Sequence, residues 1–228
     1  VLEHLAEQWD RPDHGIWERR GDGKHYVSSK VMTWVAFDRG IKSAEMFGFR
    51  APLEKWRILR DTIHRDVCEK GFDRELNSFV ESYGSKLLDA SILLLPSVGF
   101  LPPSDSRVRG TLQAIERHLM RDGFVLRHDP REVSSETQPI EGAFLACSLW
   151  LADAYVLTGE IAKAEALFGR VVAIANDLGL LAEEFDTVAC RQTGNFPQAL
   201  THIALINTAH NLSAARQSTR KPAMQRSQ

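Results

Sequence analysis

Cysteine is scarce in this chain: three in 228 residues, at Cys68, Cys147 and Cys190. The number is odd, the positions are far apart and no Cys-x-x-Cys pair occurs, so neither a disulfide framework nor a cysteine-built zinc site is expected. An excess of one charge is also missing. Lys and Arg number 28 against 30 Asp and Glu, a net charge of −2, which leaves no electrostatic footprint for nucleic acid. No apolar run approaches the roughly 20 residues that cross a bilayer, and the longest candidate, 90–101, is interrupted by Pro96. No secretory signal pattern is legible, and a reduced, cytoplasmic setting is expected. There is no His-Glu-x-x-His, no Gly-x-Ser-x-Gly elbow, no phosphate loop and no dinucleotide fingerprint. His4, His14 and His25 lack ligand-like spacing. Neither a metal nor a cofactor is expected.

What the sequence does contain is helix. Apolar residues recur at helical spacing over 26–47, through Val27, Val31, Trp34, Val35 and Ile41, and again from Pro52, which suits a helix start, to about Gly71. Further helices are expected over 86–95, 104–120, 141–157, 160–178 and 197–212. Runs of alternating polarity are lacking, and 79–83 and 124–128 read as extended loops or short hairpin strands. Small, apolar helix starts recur at positions 28, 85, 141 and 197, a period near 56 residues. Each is preceded by a loop, and where the chain continues a more amphipathic helix follows, such as 160–178. This is the mark of stacked helical hairpins. Common helical solenoids repeat every ~34–47 residues, so the extra length falls in the loops before the inner helices, where long loops carry function.

Two of those loops hold candidate acids. One is Pro12-Asp13-His14-Gly15-Ile16-Trp17-Glu18-Arg19-Arg20-Gly21. The other is Leu181-Ala182-Glu183-Glu184-Phe185-Asp186, followed by Gly194-Asn195-Phe196-Pro197-Gln198. A pair of carboxylates on separate loops is the minimum for hydrolysing a glycosidic bond. An indole packed on Glu18 would desolvate it and raise its pKa, as suits a general acid, and a pairing with Arg19 or Arg20 would oppose that. The bland alternative is a structural Trp-Glu pair. In an extended segment Glu183 and Glu184 point to opposite sides, so at most one faces a shared pocket. Asp186 is placed to cap a local turn. Asn195 is a helix N-cap or a ligand for a sugar hydroxyl. Glu141, at the expected start of an inner helix, is placed to complement the helix dipole.

Taken together, these segments resemble glycoside hydrolase family 15, which comprises glucoamylases, glucodextranases and trehalases. The match is carried by 9–18, by Lys24-His25-Tyr26-Val27-Ser28-Ser29-Lys30, by 181–186 and by Gln192-Thr193-Gly194-Asn195-Phe196-Pro197-Gln198-Ala199. Ser82-Tyr83-Gly84, Asp89-Ala90-Ser91 and Gly99-Phe100-Leu101-Pro102-Pro103 are similar to its bacterial branch. The resemblance covers about residues 4–212. It implies an all-α (α/α)6 toroid of helical hairpins, here an incomplete C-terminal portion with about seven of twelve helices. It also implies an inverting mechanism, with Glu18 as general acid and Glu183 as general base, and inversion requires roughly 6.5–9.5 Å between the carboxyl groups. Trp17, Arg19, Glu141 and Asn195 would lie near the sugar. The expected substrate is a small α-glucoside, namely trehalose, isomaltose or a malto-oligosaccharide, with no nucleic-acid or membrane partner.

Family members carry early hairpins ahead of the Trp-Glu motif, with an Arg-Asp pair that grips the terminal glucose, and commonly an N-terminal β-sandwich. None of these has a counterpart in this sequence, whose first residues read as a helix already under way. The expected organisation is therefore 1–213 as the C-terminal part of such a catalytic domain and 214–228 as a disordered basic tail. The alternative is an inactive helical-hairpin fragment that at most binds a carbohydrate or a partner.

Overall fold

A computed structural model describes residues 1–132 and 141–220. The chain divides into two compact units, Val1–Ala114 and Ile115–Gln228.

The first unit opens with α1 (Leu2–Gln8), followed by the loop that carries Glu18. The long helix α2 (Val27–Phe47) packs against α3 (Leu53–Lys70) as an antiparallel hairpin. Both lie where the apolar spacing places them. Gly48 ends α2 in the left-handed conformation, φ 67°, and its N–H satisfies the Ala44 carbonyl. That conformation is costly for a residue with a Cβ and free for glycine. One face of α2 supplies the buried Val27, Val31, Phe37 and Ile41, and α3, packed against it, buries Ile63 and Val67. Trp34 packs edge-on against Phe100, 5.2 Å between ring centroids. A two-stranded antiparallel ribbon follows, β1 (Phe72–Asp73) with β2 (Ser78–Phe79).

The helix expected over 86–95 is replaced by shorter pieces. Leu87 is in extended backbone, its carbonyl accepting from Glu81 N–H at 2.9 Å. Asp89 then caps a single 3-10 turn, Ala90–Leu93, by accepting the Ser91 N–H, and α4 (Leu94–Ser97) adds only four residues. The Ser85 N–H is bonded to the Ser82 carbonyl, the Leu87 N–H to the Ser85 hydroxyl and the Leu87 carbonyl to Glu81, so these groups are committed outside a helix and the helix starts late.

α5 (Ser106–His118) carries the chain across the division between the units. In the second unit β3 (Met120–Arg121) and β4 (Phe124–Val125) form a short hairpin, as expected for 124–128. Next come β5 (Ala143–Phe144) and α6 (Leu145–Thr158). α7 (Ile161–Ala173) forms a hairpin with α6. After β6 (Glu184–Asp186) and β7 (Arg191–Thr193), α8 (Ala199–Arg220) returns along α6. α6 is buried on nearly every side, as an apolar inner helix should be, whereas α7 buries only Ala164, Leu167 and Val171. Ala204, Thr208 and Leu212 of α8 form one buried stripe at a four-residue repeat.

Three boundaries differ from expectation, one of them the end of α7, at Ala173 and not at 178. Residues 141–144 are not helical: Ala143 and Phe144 pair with Phe185 and Glu184, and α6 begins only at Leu145. α8 runs to Arg220, so 214–220 are helix and not tail. Ala214, Ala215 and Arg216 favour helix, and Arg216 Nε is anchored to Glu165 at 2.6 Å. Residues 221–228 lie outside the described residues.

The sheet β5-β6-β7 was not legible as strands in the sequence. Its register pairs Glu184 with Thr193, Phe185 with Gln192 and Asp186 with Arg191. Among the described residues no helix is long and apolar enough to cross a membrane, and no cluster of three His, Cys, Asp or Glu is arranged to hold a metal ion.

Candidate active site

Glu18 lies in the loop between α1 and α2. The loop is closed where Asp13 and Lys24 exchange backbone hydrogen bonds of 2.9 and 2.8 Å. Asp13 Oδ1 accepts the Gly15 N–H at 2.7 Å and the Ser29 hydroxyl at 2.6 Å, which ties the loop to the first turn of α2. Lys30, buried on the same helix, donates to the Trp9 and Arg11 carbonyls at 2.7 and 2.5 Å. Its burial draws its pKa down, while Asp13, 4.0 Å away, opposes the shift.

Within this frame the residues beside Glu18 turn inward. The Trp17 indole N–H donates to both oxygens of buried Asp89, at 3.0 and 2.8 Å. The Arg19 guanidinium lies 3.4 Å from the carboxylate of Glu81, which is also buried. Glu18 itself is exposed and has φ 49°, a left-handed conformation that non-glycine residues rarely adopt. The Arg19 N–H to His14 carbonyl bond of 2.9 Å holds that turn. Strain of this sort costs roughly 1 kcal/mol or more and persists only where surroundings over-determine it, typically at functional sites. Glu18 is thus presented to solvent and not desolvated by the indole, whose polar edge is directed at Asp89.

In the second unit, Glu183 immediately precedes β6. Its N–H donates to the Asn195 carbonyl at 2.9 Å, and its carbonyl accepts the Leu145 N–H at 3.0 Å. Its Oε2 accepts both the Asn195 backbone N–H, at 3.1 Å, and the Asn195 Nδ2, at 2.9 Å. The approach to Glu183 is fixed by Gln192. Its Nε2 donates to the Ile174 and Leu180 carbonyls at 3.0 and 3.3 Å, and its Oε1 accepts the Ala182 N–H.

Glu184 has a different set of partners, as alternation along an extended segment requires. Its Oε2 accepts the Gly142 N–H at 3.2 Å, beside Glu141, which is ion-paired with Arg127. The Arg127 guanidinium lies over the Phe144 ring, 5.1 Å from its centroid. Burial, followed by the charge and hydrogen bonding of Glu141, pushes the Glu184 carboxyl up to about 7; the Gly142 N–H and Arg127 act in the opposite sense.

Two sequence-level alternatives are resolved against helix ends. Asn195 is not an N-cap, because α8 starts four residues later and the side chain is spent on Glu183. Glu141 does not complement the dipole of α6, which begins only at Leu145, because its carboxylate is held by Arg127. Asp186 does cap a turn, accepting the Val188 and Ala189 N–H groups at 3.0 Å each. The sequence reading assigns a site role to neither Asp89, which it places only within the resembling segment Asp89-Ala90-Ser91, nor Arg127. The Asp-x-Ser pattern at Asp89 is an N-cap signature that could have flagged the first. Nothing local signals the pairing of Arg127 with Glu141.

The helical hairpins with carboxylates in their connecting loops define a fold of the (α/α)6 toroid glycosidase class. A glycosidase solved in complex with glucose matches 93% of this chain and 58% of its own with a TM-score of 0.79, at 19% identity. At the level of sequence, a family model for glycosyl hydrolases family 15 matches residues 1–210, and the chain belongs to that family. It is 46% identical over 206 residues to a trehalase of Mycobacterium tuberculosis, a match covering 90% of this chain and 30% of that protein. It is 41% identical over 215 residues to a trehalase of Thermoplasma volcanium, covering 94% of this chain and 34% of that protein. The chain therefore spans about a third of the length of these relatives.

Proposed function

We propose that this chain supplies the general acid and general base of an inverting glycoside hydrolase that releases glucose from an α-glucoside, with trehalose as the first substrate to test. The observation that carries the reading is the match of nine-tenths of the chain to proteins named trehalase at 41–46% identity. The local geometry supports it. The Glu18 loop is held by an ordered backbone frame and the Glu183 carboxylate by Asn195, and neither acid is consumed in an ion pair among the described residues.

In this reaction the Glu18 carboxyl gives its proton to the glycosidic oxygen as the bond from that oxygen to the anomeric carbon breaks. The Glu183 carboxylate takes a proton from a water whose oxygen attacks the same carbon from the opposite face. One water is consumed, the configuration at that carbon inverts, and proton exchange with solvent restores both groups. Trp17, Arg19, Glu141 and Asn195 are the remaining sugar-site candidates; in the structure each also holds a protein partner.

The reading is tested in a protein of the relatives' full length carrying these residues. Glu18→Gln and Glu183→Gln should each lower kcat by about 10²–10⁴-fold with the fold intact. Near-normal turnover in either variant removes that residue's role. Proton NMR of the first product settles stereochemistry. Inversion yields equal α- and β-glucose from trehalose at the earliest times, and retention yields α-glucose alone. Trehalose, isomaltose and maltose assayed side by side decide the substrate. The 228 residues alone, about a third of the relatives' length, should release no glucose from any of the three.

A further inference from the structure

We propose that Asn195 is a positioning residue for Glu183, fixing which carboxylate oxygen faces water, and not a ligand of the sugar. The inference rests on the reading of Glu183 as the general base. Three groups of this one residue engage Glu183: the carbonyl takes the Glu183 N–H at 2.9 Å, and the backbone N–H and Nδ2 both reach Oε2, at 3.1 and 2.9 Å. All three bonds address a single residue, and both side-chain-directed donors choose the same oxygen. Among the described residues no hydrogen bond is made to Oε1, so Oε1 is the oxygen left for a proton from water.

The register explains how the clamp forms. The ladder ends with Glu184 paired to Thr193; beyond it the Glu183 N–H reaches the Asn195 carbonyl, which leaves Gly194 against the Glu183 side chain. Gly194 has φ +75°, and a Cβ there would lie 2.9 Å from Glu183 Oε2 and 3.0 Å from Glu183 Cβ. The Glu183 carboxylate occupies the space a side chain at position 194 would fill. That close approach brings the next N–H in the chain, that of Asn195, onto Oε2. Two donors on one oxygen hold the carboxylate in a single orientation. Other titratable groups on the surrounding elements are Glu184 and Arg191 on β6 and β7, Glu141 and Arg127 beside β5, and His202 on α8.

The test uses Asn195→Ala and Asn195→Asp in the full-length protein, with Glu183→Gln as control. Ala removes Nδ2 while keeping both backbone bonds. It should lower kcat about tenfold and leave KM within about twofold, since one donor that orients the carboxylate is lost. Asp places a second carboxylate at Oε2, where it repels the base out of position, and should cut kcat more. A raised KM with unchanged kcat would overturn the proposal in favour of a sugar ligand, and wild-type kinetics in Asn195→Ala would overturn it outright. If Glu183→Gln itself keeps turnover, the base assignment fails. If Glu183→Gln is inactive while Asn195→Ala is normal, only the positioning role fails.

Discussion

The indole N–H of Trp17 is shared between the two carboxylate oxygens of Asp89, 3.0 Å from Oδ1 and 2.8 Å from Oδ2. Asp89 also accepts the backbone N–H and hydroxyl of Ser91, at 2.8 and 2.5 Å, so one buried carboxylate joins the Glu18 loop to the 3-10 turn Ala90–Leu93. Asp89→Ala strands three donors together and should destabilise the protein by about 2–4 kcal/mol, seen as a lower urea midpoint. Trp17→Phe removes one of those donors and should cost nearer 1 kcal/mol, with a larger fall in kcat than in stability because the residue next to Glu18 loses its anchor. Equal midpoints for wild type and Asp89→Ala would contradict this role.

Lys30 pins the other end of the same loop. Lys30→Met keeps the length of the side chain but leaves the Trp9 and Arg11 carbonyls without their donor. A loss of about 2–3 kcal/mol is expected, with faster amide exchange in residues 9–26 than elsewhere in the first unit. Uniform protection across that unit would count against the pin.

Gly194→Ala should impair both folding and turnover. Alanine at φ +75° is strained by about 1 kcal/mol, and its Cβ would push on Glu183 Oε2 from 2.9 Å. The expected outcome is a modest drop in melting temperature with a disproportionate loss of kcat. Unchanged kcat would show that Glu183 does not need the close approach.

Glu184 makes stability depend on pH. Its folded-state pKa, pushed up to about 7 by burial and by Glu141, exceeds the unfolded value of 4.5. Between those values the folded chain binds the extra proton, so this stabilising contribution is full below about 4.5 and is lost as pH rises through about 7. Half-burial and solvent screening limit the loss to about 1 kcal/mol. Glu184→Gln, which imitates the protonated form, should flatten the fall in urea midpoint between pH 5 and 8, on the order of one unit either side of that range. An identical pH dependence in wild type and variant would show that Glu184 does not titrate there.

Helix positions were largely readable from spacing. Val27, Val31, Trp34 and Ile41 announce α2, and the unbroken apolar run of α6 announces a helix buried on nearly all sides. The sheet β5-β6-β7 was not readable, because its strands are two or three residues long and β5 finds its partner β6 only about forty residues further on. The same holds for 86–89, where a helical pattern lost to the Glu81–Leu87 backbone bond. At the site, the two acids were legible through the motifs around them, but their partners were not. Asp89 is 72 residues from Trp17 in sequence, and Gly194 matters only because of what lies across from it.

The sequence by itself therefore determined the hairpin architecture, the two glutamate loops and the family. These follow from local periodicity and from motifs contiguous in the chain. The tertiary structure decided how each carboxylate is held. Glu18 is exposed because Trp17 and Arg19 are drawn inward to Asp89 and Glu81, and Glu183 is clasped through Oε2 because the chain beyond the antiparallel ladder leaves a glycine against its side chain. Burial and hydrogen-bond partners depend on distance in space, and distance along the chain does not encode them.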